Sequence, residues 1–295
     1  IIQAMVGRDL SDRFPKRPPK NEFVPGSALP QDGTDFAKRT SSENFALEVR
    51  NWTVGHPLYE GRKVCDNINM YMRKGEVVGI SGLMGAGRTE FAMSIFGKSY
   101  GVNIKGELLK DGKRITLNSV QDAINAKIAY VTEDRKGNGL VLDNPISTNT
   151  TLANMNEVSR NQVVDADREI NIAEKYRKDL RTKSSSVYQN VGSLSGGNQQ
   201  KVLLAKWMFT DPDILILDEP TRGIDVGAKY DIYTIINELV AQGKAVLMIS
   251  SELPEILGMC DRIYVMNEGR IVAEMLGKEA TQESIMAAIV ASGKE

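Results

Sequence analysis

Between the apolar run Glu76–Ser81 and the helix-like stretch Glu90–Phe96 the chain reads Gly82-Leu83-Met84-Gly85-Ala86-Gly87-Arg88-Thr89. A strand that turns through three glycines directly into a helix leaves few architectures open. Its glycines let successive backbone N–H groups converge on phosphate oxygens, the helix start adds partial positive charge, and Thr89 offers a hydroxyl to a magnesium ion. The pattern is that of the phosphate-binding loop G-x-x-x-x-G-K-S/T with Arg88 where the lysine stands. Lysine is a compact point charge among the phosphates, whereas a guanidinium is larger, planar and differently directed. Binding is therefore expected to survive the exchange better than catalysis. Taken alone, the loop also suits a dinucleotide fold or a purely structural turn, so the context decides.

That context begins with Ile214-Leu215-Ile216-Leu217-Asp218-Glu219-Pro220, an apolar strand ending in two carboxylates. Adjacent unpaired acids are costly beside a core, so they are expected to face a cation or water. Asp218 is the expected magnesium-side ligand, and Glu219 the group to polarise an attacking water. Upstream lies Leu194-Ser195-Gly196-Gly197-Asn198 ahead of an apolar helical stretch. Ser195 is placed to cap that helix, and the glycines bare its N-terminus for close approach by a phosphate.

Short apolar runs, several of them β-branched, alternate with helical periodicity from Phe45 onward. Strands are expected at Ala46–Val49, Val64–Met72, Val77–Ser81, Ile128–Thr132, Ile214–Asp218, Ala245–Ser250 and Ile263–Met266, and helices near Gln121–Lys127, Lys201–Phe209 and Lys229–Ala241. Such alternation predicts an α/β core around a mostly parallel sheet. From about Pro145 to Gln200 the sequence turns polar with a helical stripe of Ile170, Ala173, Tyr176 or Arg177, and Leu180, which predicts an inserted helical subdomain. Pro15, Pro18, Pro19, Pro25 and Pro30 lie among charged and small residues at the start, a composition that predicts a semi-extended linker. The first residue is Ile1, and the stretch Ile1–Leu10 reads as the tail of a preceding folded part of a longer protein.

Composition narrows the partners. With 37 Lys+Arg against 38 Asp+Glu the net charge is −1, so no general basic field favours a nucleic acid. Two cysteines, Cys65 and Cys260, and one histidine, His56, supply neither a disulfide framework nor a zinc cluster, which suits a cytosolic chain. Both cysteines sit in apolar surroundings and are expected in the core. No apolar run reaches the roughly 18–20 residues that span a bilayer, so a membrane role is expected to be peripheral.

Taken together, the Gly82–Thr89 loop, the Leu194–Asn198 segment and the Asp218-Glu219 pair resemble Walker A, signature and Walker B of the nucleotide-binding domain of an ATP-binding-cassette (ABC) transporter, in that family's order. The wording of the loop with Glu90, and Asp218-Glu219-Pro220-Thr221-Arg222-Gly223-Ile224-Asp225-Val226-Gly227-Ala228-Lys229, resemble the second cassette of fused ATPase subunits of bacterial monosaccharide importers, from about Phe45 to Ala291. The resemblance implies a P-loop NTPase fold of the RecA-like ABC ATPase kind, with a mostly parallel sheet, a small antiparallel β part and the helical insertion. It divides the chain into 1–41 (end of a first cassette and linker), a core of 42–144 and 201–295, and a signature subdomain of 145–200.

For the site, the resemblance implies ATP on Gly82, Gly85, Ala86, Gly87, Arg88, Thr89 and Glu90, with Mg2+ on Thr89 and Asp218. Ser195, Gly196, Gly197 and Asn198, following Leu194, would then serve the nucleotide of a facing cassette. Glu133 occupies the position of the Q-loop glutamine, where it can hold magnesium through water; Ser251 occupies that of the switch histidine, and Asp225 that of the D-loop aspartate. Arg88, Glu133 and Ser251 thus depart from the family pattern at one nucleotide site while the signature is intact. The expectation is a cassette whose own site binds ATP but turns over slowly, paired with a first cassette or a second copy.

Adenine stacking falls to Trp52 or Tyr59 by position, and His56, before Pro57, reads as a solvated turn residue. Further implied partners are membrane permease subunits, contacted near Asp134–Leu142 and Pro145–Asn154, and indirectly a periplasmic sugar-binding protein. The implied location is the cytoplasmic face of the membrane. Two alternatives remain at this stage, a catalytically silent regulatory or dimerisation half and a soluble ABC protein acting on ribosomes or DNA.

Overall fold

Strand formation among the described residues follows two different burial patterns, and they build the two larger sheets. The computed structural model describes residues 13–17 and 45–293. The tail Ile1–Leu10 and most of the proline-rich stretch lie outside the described residues. The strands are β1 (Leu47–Gly55), β2 (Lys63–Met72), β3 (Val77–Gly82), β4 (Val102–Lys110), β5 (Lys113–Ile115), β6 (Ile128–Val131), β7 (Ser159–Arg160), β8 (Val163–Val164), β9 (Ile214–Asp218), β10 (Ala245–Ile249), β11 (Arg262–Asn267) and β12 (Arg270–Leu276). Contacts group the described residues into two compact units, one of 17, 45–130, 213–219 and 239–293, the other of 13–16, 131–212 and 220–238.

In the first unit a six-stranded sheet runs in the order β12-β11-β3-β10-β9-β6. Every residue of β9 and β10 is buried, and so is all of β3 up to Gly82, as continuous apolar runs require when helices cover both faces of a sheet. β3, β9, β10 and β11 pair in parallel, while β12 returns antiparallel to β11 at the edge. A second, antiparallel sheet has the order β2-β1-β4-β5. Here burial alternates, with Cys65, Ile68, Met70 and Met72 of β2 inward. Burial pushes the thiol pKa of Cys65 up, and the Glu90 carboxylate adds to it. Cys260 is buried too, so both cysteines are core residues.

One buried ion cluster ties this unit together. Arg262 of β11, its side chain 3% exposed, donates from Nε to Glu76 Oε1 at 2.9 Å and from Nη2 to Glu76 Oε2 at 3.1 Å. The same guanidinium reaches Glu274 at 2.7 Å and the Tyr71 carbonyl at 2.7 Å, and bonds the Tyr264 hydroxyl.

The second unit is built around helices Ile146–Thr151, Ala166–Asp179 and Gly196–Met208 and the start of helix Val226–Ala241. Asp165 opens helix Ala166–Asp179 by accepting from the Arg168 backbone N–H at 3.0 Å. Its apolar stripe is used as the periodicity predicts: Ala173 and Leu180 are buried, and the Tyr176 ring meets Phe209 edge-on at 6.3 Å. The polar stretch is not wholly helical, because β7 and β8 form a small hairpin within it. Among the described residues no helix is long and apolar enough to cross a membrane.

Candidate nucleotide site and signature segment

The loop Gly82–Thr89 leaves the C-terminal end of β3 and enters helix Arg88–Ile95. Its turn is closed by the Ala86 N–H donating to the Leu83 carbonyl at 3.1 Å, and pinned by the Gly269 N–H donating to the Ala86 carbonyl at 2.9 Å. Gly87 has φ +96°, and a Cβ there would lie 2.5 Å from the Val64 carbonyl oxygen, so only glycine fits. On the other side the loop is open: a Cβ on Gly85 would meet nothing within 4 Å. This leaves a glycine-lined cradle at a helix N-terminus, the arrangement that suits a phosphate.

Arg88 does not extend into open solvent. Its Nη1 donates to the Ser250 carbonyl at 2.7 Å, and its Nη2 lies 4.0 Å from Glu219 Oε1. Glu219 also accepts from the Ser251 hydroxyl at 3.0 Å. The loop cation, the acid after β9 and the hydroxyl after β10 therefore form one chain of contacts. Adjacent strands explain the meeting, since β10 lies between β3 and β9.

The two acids differ in surroundings. Asp218 is fully buried and accepts from the Tyr130 hydroxyl at 2.9 Å through Oδ2, one of its two carboxylate oxygens. Tyr130 was not foreseen as part of the site; the available signal was a tyrosine at the end of an apolar strand, whose hydroxyl needs a partner once buried. Among the described residues no group of three or more His, Cys, Asp or Glu is placed to hold a metal. The Thr89 hydroxyl and Asp218 carboxylate are hard oxygen donors, which fits magnesium, an ion that keeps waters and shares substrate phosphates instead of a full protein cage.

In the second unit, Ser195 precedes helix Gly196–Met208 but makes no side-chain cap. Instead its hydroxyl accepts from Asn198 Nδ2 at 2.9 Å, a departure from the expected cap. Asn198 Oδ1 in turn accepts from the Lys183 N–H at 2.8 Å. Leu194 is buried beneath. Asp225 Oδ1 accepts from the Ala228 N–H at 2.9 Å, opening helix Val226–Ala241. Glu133 accepts from the Thr132 hydroxyl at 3.1 Å.

Gly197 is where these two helix starts touch. A Cβ on it would lie 2.4 Å from Ala228 Cβ. Gly197→Ala is therefore expected to destabilise this unit by about 1–3 kcal/mol through overpacking, seen as a lower urea midpoint. Adding Ala228→Gly should restore most of the loss; an unchanged midpoint in the single variant would contradict the contact.

The aromatic candidates separate cleanly. Trp52 is 4% exposed and donates from Nε1 to Ser94 Oγ at 2.9 Å, so it is a core residue with no face for a base. Tyr59 is 59% exposed. His56 Nδ1 accepts from the Leu58 and Tyr59 N–H groups at 3.0 and 3.2 Å and its ring lies 4.7 Å from that of Tyr59, so it shapes the turn presenting Tyr59. His56, Tyr59, Arg62, Lys63, Val102 and Lys105 line a hollow of about 560 Å³ there.

Sheet order, glycine loop and paired acids define a phosphate-loop α/β cassette. Solved ATP-binding cassettes of ABC transporters share the fold: one nucleotide-free structure aligns with TM-score 0.67 at 21% identity over 85% of this chain and 97% of that one, and one in its ADP conformation with 0.69 at 21% over 84% and 99%. Residues 65–222 match the ABC transporter family, and the chain belongs to it. It is 57% identical over 286 residues to the L-arabinose transport ATP-binding protein of Geobacillus stearothermophilus, covering 97% of this chain and 52% of that protein. The xylose import ATP-binding protein of Thermoanaerobacter pseudethanolicus is 48% identical and the ribose import ATP-binding protein of Bacillus subtilis 42%, each over 97% of this chain and 52% of theirs. The chain thus spans about half the length of the curated relatives it matches.

Proposed function

We propose that this chain is an ATP-binding and ATP-hydrolysing cassette of a bacterial monosaccharide importer, held at the cytoplasmic face of the membrane by permease subunits. Its facing partner is a first cassette of the same polypeptide or a second copy, and a periplasmic sugar-binding protein acts with it indirectly. Within that assembly its own Walker A site holds ATP and turns it over slowly, while Ser195 to Asn198 complete the faster site built on the partner.

The observation that carries the asymmetry is the Arg88–Ser250 hydrogen bond of 2.7 Å. The loop N–H groups and the helix start still offer positive charge to phosphates, so binding persists. Arg88, however, is tied to a carbonyl and stands 4.0 Å from Glu219, and Ser251 takes the other Glu219 oxygen. An acid with one oxygen hydrogen-bonded and a guanidinium 4.0 Å from the other is a weaker base toward water, and a serine hydroxyl lacks the imidazole that relays a proton near neutral pH. Thr89 and Asp218 would hold Mg2+, and the ion would neutralise phosphate charge. Exposed Tyr59, rather than Trp52, is the residue for the adenine ring.

Calorimetric titration of Mg-ATP into the chain, with Arg88→Ala as comparison, tests the binding half of this reading. Micromolar affinity, about −8 kcal/mol, weakened at least about tenfold by Arg88→Ala, is the expected result. Absence of heat from the wild-type chain would leave it only as a signature donor.

A further inference from the structure

Arg135 follows Glu133 by two positions, in a single π-helical turn, Arg135–Gly139. Asp134 fixes that turn by accepting from the Gly137 N–H at 2.9 Å, and the Leu140 N–H closes it on the Arg135 carbonyl at 2.8 Å. The guanidinium points inward within the second unit. Nη1 donates to the Arg222 carbonyl at 3.0 Å and to Gln200 Oε1 at 3.3 Å. Nη2 lies 3.4 Å from where a Cβ on Gly196 would stand, and 3.9 Å from the equivalent point on Gly223. Burial lowers the guanidinium pKa from its ordinary value. Gln200 is 1% exposed, one turn along the helix that Gly196 opens.

One side chain thus bonds the signature helix at Gln200, one turn from its start, and the backbone of the Arg222–Asp225 stretch at Arg222, the two segments that the proposed function turns toward a facing cassette. A planar fork suits this task, because it reaches two acceptors from one rigid group, whereas a lysine ammonium on a flexible stem does not hold two directions at once. Signature donation also demands that backbone N–H groups stand within a fraction of an ångström of their target, and those groups belong to a helix start with no side-chain cap of its own.

We propose that Arg135 is a positioning residue, which locks the start of the signature helix to the Arg222–Asp225 segment so that both meet the facing nucleotide in fixed register. The inference rests on the signature-donor reading of the preceding section. Arg135 touches no reacting atom of this chain's own Walker A site, so its loss should leave that site's affinity alone.

Two measurements on Arg135→Lys and Arg135→Gln test it. In the isolated chain, amide hydrogen exchange at Gly196–Asn198 and Gly223–Asp225 should speed up together by about tenfold in both variants, with exchange at Gly85–Thr89 unchanged. Equal exchange in variant and wild type overturns the lock. In the complete importer in proteoliposomes, kcat for ATP should fall by about tenfold with KM for ATP within about twofold, and Gln200→Leu should add little to the loss because the two residues act as one unit. A fall in KM-governed binding with kcat retained, or full additivity with Gln200→Leu, overturns it as well. Ser195→Ala run alongside separates the two readings: if it leaves kcat unchanged, signature donation itself is wrong, whereas a loss with Ser195→Ala and none with Arg135→Gln refutes only the role of Arg135.

Discussion

Ser195→Ala is expected to slow ATP-driven uptake by the complete importer about a hundredfold, the usual effect of removing one preorganised donor from a developing negative charge. Glu219→Gln is expected to cost less than about threefold. The contrast follows from where the two side chains sit. Ser195 stands at the bare start of a helix, its hydroxyl oriented by Asn198 at 2.9 Å, and its hydrogen is available to a facing phosphate. Glu219 already accepts from Ser251 at 3.0 Å, with the Arg88 guanidinium 4.0 Å from its other oxygen. An amide in its place keeps an acceptor for the Ser251 hydroxyl and removes little chemistry. Phosphate release and labelled-sugar uptake in proteoliposomes measure both variants, and the opposite ranking would place the productive acid in this cassette and remove the asymmetric reading.

Arg262→Met should have the largest effect on stability, about 3–5 kcal/mol, read from urea unfolding of the chain. The loss comes less from the missing attraction than from what is left behind. Glu76 has a side chain with 0% exposure and, among the described residues, loses both guanidinium contacts with Arg262 while keeping the Arg73 N–H at 2.7 Å. A buried carboxylate so deprived must stay charged without a counterion or take up a proton. Replacing both residues, Arg262→Met with Glu76→Leu, should recover much of the loss, because a pair of apolar side chains carries no desolvation cost. A single variant that unfolds within about 1 kcal/mol of wild type would show that water reaches this cluster.

The central strands were legible because they are buried on both faces: Ile214–Asp218 and Ala245–Ile249 contain no polar residue before their last position. By contrast β4, β5 and β12 left no such trace. β4 has only Leu108 buried along Val102–Lys110 and carries Gly106 within it, so neither a run nor a clean alternation marks it. Its pairing with β1 is set by partners distant in sequence, which no local pattern displays. The C-terminal helix Gln282–Ser292 escaped for another reason: its apolar residues surround it, with Met286 and Val290 exposed as well as Ile285 and Ile289 buried. At the site, the motif residues were readable because glycines and paired acids are rare in strand ends. Tyr130 and Arg135 were not, since a tyrosine in a strand and an arginine in a loop carry meaning only when their partners arrive from far along the chain. Trp52 was readable as a flat aromatic ring near the loop, yet burial against Ser94 gave it another task.

The backbone at Glu219 bears on how this protein would respond to selection for robustness. Its φ is +48°, in the left-handed region that costs an ordinary residue roughly 1–2 kcal/mol. Glycine would occupy that conformation freely and asparagine nearly so. Thermal hardening of the fold and retention of the acid therefore pull in opposite directions at this one position, and a search that rewarded heat resistance alone would erode the carboxylate long before it disturbed the sheet beneath.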